Sequence, residues 1–158
     1  MADASLPWGA LVETWQVNNR VNLRLLDALS DEQLAATILP RGRPVISYFV
    51  HMHMARFYWL ERRARDLAKN FKKIPGGKAP RAVVRQALID SGDAMGELFA
   101  EAERTGTIKH AKRSPVTFLG YALAHEGHHR GQILLHLRVA KLPLDRDTSY
   151  SLWYWNAI

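Results

Sequence analysis

The chain contains no cysteine. That excludes a disulfide framework, a cysteine nucleophile and any thiolate metal site, so a transition metal would have to rest on histidine and carboxylate. Long apolar runs are missing as well; none approaches the ~20 residues needed to span a bilayer. The opening MADASLPWGALVE lacks a basic stretch followed by an apolar one, so no secretory signal is expected. No segment shows the two-residue alternation of a half-buried strand, and no internal repeat is present. These absences lead us to expect a cytoplasmic protein with no membrane partner. What is present is ordinary for a globular chain: 158 residues, 47% hydrophobic and 23% charged, enough for a single domain over 1–158 and too apolar for disorder.

Turn signals divide the chain into four long helical stretches. The first starts near Ser5-Leu6-Pro7 and carries Trp8, Leu11, Trp15, Asn18, Asn22, Leu25 and Leu29 at helical spacing. Ser30-Asp31-Glu32-Gln33 reads as a capping box and predicts a short extra helical turn. A second helix is expected from about Pro44 to Asn70, ended by Ile74-Pro75-Gly76-Gly77. The third runs from about Pro80 to Arg104, with Val84, Leu88, Ser91, Met95, Leu98 and Ala102 on one stripe. The fourth starts at Ser114-Pro115 and stops near Ala140, before Pro143. Four amphipathic helices of about 25 residues predict an all-α fold, a four-helix bundle. The connection between the second and third could be a simple turn, or could nearly span the bundle. The aromatic C-terminal tail, with Tyr150, Trp153, Tyr154 and Trp155, is expected to pack along the helices.

The net charge of +7 is concentrated. Residues 56–85 hold ten basic and two acidic residues, a net of +8, while the rest of the chain is near neutral. Such a run is ordinarily solvated surface, and here it could also steer an anionic substrate. Between Arg62 and Arg85 it has a single aromatic, Phe71, and so lacks the interleaved stacking residues of a nucleic-acid surface; no nucleic-acid module signature occurs, and nucleic acid is not the partner expected.

Four of the seven histidines lie in the fourth helix: His125, His128, His129 and His136. His125 and His129 are one turn apart and project from the same face, a spacing that lets two imidazoles hold one metal ion. That face, from Phe118 and Ala122 through His125 and His129 to Gln132 and His136, is expected to point at the core. His128 is ~100° off it, and His136 is ~10 Å from His129 along the axis. In the second helix the stripe Ile46, Val50, His53, Phe57 and Leu60 is apolar apart from its histidine. His51, rotated ~200° from His53, shares a more amphipathic face with Tyr48, Ala55 and Tyr58. Periodicity therefore selects His53, and the expected metal set is His53, His125 and His129. Three ligands leave room for water, as in catalytic sites.

Two metalloenzyme patterns fit these residues. His125-Glu126-Gly127-His128-His129 matches the His-Glu-x-x-His motif of zinc proteases, with Glu126 as base. No glutamate follows Glu126 to complete that ligand set, and no sheet edge is expected to hold a peptide. Alternatively, His125 followed by His129-Arg130-Gly131-Gln132 resembles the signature of the DinB/YfiT-like family of metalloenzymes, and His53-Met54-Ala55 fits that family's second-helix pattern. The resemblance implies an up-down-down-up four-helix bundle, a divalent ion (zinc or nickel) on His53, His125 and His129, and homodimers. It also implies transferase or hydrolase chemistry on a small-molecule substrate, in some members with a low-molecular-weight thiol.

On this reading the catalytic residues are undetermined. Gln132, one turn from His129, could orient a ligand nitrogen, and Glu126 is expected at the helix surface or behind the ligands. Asn18 and Asn22 either line the pocket or hydrogen-bond within the core, the second being the preferred expectation. Gly131 in mid-helix costs about 1 kcal/mol against alanine, which would suit a close helix contact or dimer packing. The competing class is a non-catalytic helical bundle that binds an anionic partner or nucleic acid through the basic segment.

Overall fold

A computed structural model describes residues 9–74 and 79–158. The expected start of the first helix near Ser5, and Trp8, Pro75, Gly76, Gly77 and Lys78, lie outside the described residues. Those described are all-α, with no strand among them. Four long helices are α1 (Ala10–Ala28), α3 (Ile46–Arg63), α5 (Arg81–Thr105) and α6 (Pro115–Val139). Three short ones are α2 (Asp31–Ala35), α4 (Arg65–Ala68) and α7 (Arg146–Ser151), and a 3-10 turn covers Trp155–Ala157.

Local chemistry sets most boundaries. Ser30 caps α2 in the expected capping box, its side chain accepting from the Gln33 N–H while the Gln33 side chain reaches back to the Ser30 N–H. Ser114 caps α6, with Pro115 in the first turn. Gly106, at φ 72°, ends α5 in the left-handed conformation that glycine adopts without strain. The expected helix 44–70 is shorter than its pattern implied. At Ala64 the backbone leaves the helical region (φ −147°, ψ 63°), so α3 stops at Arg63 and a separate turn, α4, follows. No glycine or proline marks this break.

The core forms two clusters, one toward each end of the long helices. Leu11, Trp15, Leu60, Leu98, Phe99, Phe118 and Ala122 share one; Leu25, Leu26, Phe49, Met52, Val84, Leu88, Ile133 and Leu137 share the other. The start of α1 therefore lies with the ends of α3 and α5 and the start of α6. Of the two possibilities for the connection between α3 and α5, the spanning one holds: the end of α3 and the start of α5 lie in opposite clusters.

Two stripes, one on α1 and one on α5, are buried as expected and pack against each other in antiparallel fashion. The Glu103 carboxylate accepts from the Gly9 and Leu11 N–H groups at one end, and Arg85 pairs with Asp27 at the other. Between them the Trp15 indole donates to the Gly92 carbonyl at 2.7 Å. A Cβ at Gly92 would collide with the Asn19 amide, so only glycine allows this approach.

Several charges of the basic segment are consumed by the fold. Arg81 donates to the Leu26 and Leu29 carbonyls and to Asp31, Lys69 pairs with Asp66, Lys73 lies over Phe57, and Arg56 is fully buried. The C-terminal tail departs from expectation. It is anchored by Leu152 and partly by Leu142, Leu144 and Ile158, while Trp153 stays 76% exposed and Tyr150, Tyr154 and Trp155 also face solvent. Gly131 is exposed, and a methyl group added there would meet open space, so no close helix contact among the described residues requires it. No helix among the described residues is long and apolar enough to cross a membrane.

Candidate metal centre

The fourth long helix buries only part of the face that periodicity selected: Phe118, Ala122 and His136, but not His125, His129 or Gln132. Its buried positions are Pro115, Phe118, Leu119, Ala122, Glu126, Ile133, His136 and Leu137. His125 and His129 sit at the edge of that stripe, half-buried, facing α3. Their Nε2 atoms are 3.2 Å apart and their rings are nearly perpendicular, at 80°.

The third histidine is His51, not His53. One nitrogen from each of His51, His125 and His129 lies within 4.8 Å of the other two. The His51 ring centroid is 4.6 Å from that of His129 and 5.4 Å from that of His125. His53 is on the opposite side of α3, only 1% exposed, with Nδ1 3.0 Å from the Ala87 carbonyl oxygen and Nε2 3.2 Å from that of Lys72. The expectation fails for a physical reason. It assumes that a ligand must lie on the most apolar stripe, whereas this cluster lies in the seam between α3 and α6, where His51 is exposed.

The donor set fits a divalent cation. His129 Nδ1–H donates to Gln132 Oε1 at 2.7 Å, which fixes the tautomer and leaves Nε2 with a lone pair toward the cluster. His125 Nε2 faces that lone pair, so an ion between them would replace one shared proton. Ligand nitrogens about 2.1 Å from one ion are roughly 3–3.5 Å apart, and the observed pair falls within that span. Burial lowers the pKa of all three imidazoles, and neighbouring His129 lowers those of His51 and His125 further, so the set favours the neutral form that binds metal. His128 is exposed and outside the group, and His136 lies beyond it, with Nδ1 3.5 Å from the Tyr48 hydroxyl.

Behind the histidines lies a network that helical spacing alone misplaces. Glu126 is completely buried. Its Oε1 accepts from Arg56 Nε at 2.7 Å, and its Oε2 accepts from Arg56 Nη2 at 3.0 Å and from the Asn18 and Asn22 amides at 2.6 Å each. Arg130 donates to the oxygens of the same two asparagines, and Arg56 also reaches Asn19 and the Leu88 carbonyl. Asn18 and Asn22 are thus core hydrogen-bonders, as expected. Burial by itself would raise the Glu126 pKa; the Arg56 charge and these hydrogen bonds outweigh it and hold the carboxylate ionised. Sequence reasoning missed Arg56, although a charged residue four positions from both Met52 and Leu60 occupies a core position.

Aromatic rings complete the seam. Trp59 lies 5.2 Å from His125 and 5.6 Å from Tyr121, and Tyr48 lies 6.3 Å from His129. A His-x3-His pair on one long helix and a third histidine on another form a cluster compatible with metal binding. Residues 1–140 match the sequence profile of the DinB family, and the chain belongs to that family. No curated protein and no solved structure gives a significant match.

Proposed function

We propose that this protein is a metal-dependent enzyme of the DinB type, with a divalent ion, zinc or nickel, held by His51, His125 and His129. The observation that carries this reading is the convergence of three neutral-favouring imidazoles from α3 and α6. The end-to-end sorting of core contacts supports the finer architecture as well, an up-down-down-up four-helix bundle. The reading extends to transferase or hydrolase chemistry on a small molecule, with a low-molecular-weight thiol as one class of co-substrate.

When bound, the ion lowers the pKa of a coordinated water or thiol and supplies a nucleophile near neutral pH. The protein's own residues prepare the site. Three neutral imidazoles add no negative charge to offset the ion. Gln132 accepts from His129 Nδ1–H and holds that ring in place. Trp59 lies beside His125 and Tyr48 beside His129, so aromatic rings flank the histidines. Glu126 takes no part as a base, because both its oxygens are occupied by Arg56 and two asparagines. That engagement removes the central residue of the His-Glu-x-x-His protease reading.

Metal analysis of protein purified without a histidine tag tests the proposal. One stoichiometric metal, lost in His125→Ala and in His129→Ala, is expected. A metal-free protein that takes up neither zinc nor nickel would overturn it.

A further inference from the structure

The seam between α3 and α6 continues past the histidines. From His125 it passes Trp59 and Tyr121, then Phe118, and reaches Arg63, whose guanidinium carbon lies 4.5 Å over the Phe118 ring. Tyr121 is 55% exposed, and its ring lies parallel to that of Phe118 within 27°. The exposed Tyr121 ring, with the half-buried Trp59 ring inclined to it by 63°, offers an aromatic surface to a ligand. Arg63 forms no ion pair among the described residues, and its Nε is buried without a hydrogen-bond partner. Burial lowers its pKa, with Arg62 adding to the effect, as expected for a cation lacking a counter-charge. An unpaired, partly desolvated guanidinium is suited to a carboxylate, which it can bind through two parallel hydrogen bonds. Phe118 and His125 are seven residues apart on α6, ~10 Å along the axis.

From this juxtaposition we infer that the seam is the substrate cleft and takes a small, flat, anionic molecule. Its ring lies against Trp59 and Tyr121, its carboxylate meets Arg63, and its opposite end is directed toward the histidines. The inference rests on the histidines being the reactive end, but the binding it describes is measurable without metal.

The test is calorimetric titration of the full chain, stripped of metal, with 2-naphthoate and with its neutral analogue 2-naphthamide. Naphthoate is expected to bind more tightly than the amide. Arg63→Gln should remove that preference while leaving amide binding unchanged, and Tyr121→Ala should weaken both ligands about tenfold. Tyr121 is exposed, so Tyr121→Ala is expected to fold. Equal binding of acid and amide, or naphthoate binding insensitive to both Arg63→Gln and Tyr121→Ala, would overturn the inference. Zinc titration of the same samples reports on the histidines separately. Naphthoate binding with the predicted variant pattern supports the cleft even if zinc does not bind.

Discussion

Arg56 Nε donates to Glu126 Oε1 at 2.7 Å, and neither side chain has any solvent exposure. This pair joins α3 to α6 at the level of the histidines, and three asparagines of α1 complete its hydrogen bonds. Breaking it leaves a buried charge unpaired. Glu126→Gln is expected to destabilise the protein by roughly 3–5 kcal/mol. Urea denaturation of the metal-free chain measures this, and a loss under about 1 kcal/mol would show the pair to be dispensable.

The same carboxylate predicts an acid dependence. Glu126 has its pKa lowered in the folded protein because Arg56 and its hydrogen-bond donors outweigh the opposing effect of burial. Its contribution to stability is complete above the ordinary glutamate pKa of about 4.3 and is lost as pH falls through the lower folded value. The urea midpoint should therefore decline on acidification from pH 5, and Glu126→Gln should flatten that decline. An identical slope in the two proteins would contradict the assignment.

In the metal-free chain His51, His125 and His129 should titrate below the usual imidazole pKa of about 6.5, because burial lowers all three and His129 lowers His51 and His125 further. Histidine ring-proton chemical shifts followed against pH give the values directly. Since His51 is one cause of the lowering at His125, His51→Gln should move the His125 titration upward. An unchanged or falling value would place His51 outside the cluster.

Gln132 is the acceptor that fixes the His129 tautomer. Gln132→Ala is expected to weaken zinc binding roughly 10–100-fold, while Gln132→Glu, which keeps an acceptor, should retain it. Competition against a chelator of known affinity resolves the two. Equal affinity in all three proteins would reduce Gln132 to a surface contact.

Much of this organisation is legible in the sequence, and the failures share a cause. The α1 and α5 stripes, the Ser30 and Ser114 caps and the Gly106 stop follow from local chemistry, and the structure has each. The His125–His129 pair follows from helical spacing. Periodicity, however, reports burial and not function. It selects His53 because that residue is buried, and the structure places the two ring nitrogens of His53 against the Ala87 and Lys72 carbonyls, away from the other histidines. It puts His125 and His129 on the core-facing stripe when that stripe belongs to Glu126. A glutamate among histidines resembles a base, and only the position of Arg56 across the helix interface shows that its charge is already balanced. Ala64 ends α3 without a glycine or proline, so nothing local announces it. The tail residues suggest packing because they are aromatic, but Leu152 alone of residues 150–155 is buried.

The choice between His51 and His53 tests the central claim most directly. Zinc affinity of the untagged protein should be measured by chelator competition for the wild type, His51→Gln and His53→Gln, with folding of each checked by circular dichroism. The account predicts that His51→Gln weakens zinc binding by more than roughly a hundredfold, beyond the range of outer-shell changes, and that folded His53→Gln binds zinc as the wild type does. Loss of zinc in His53→Gln with retention in His51→Gln would contradict it.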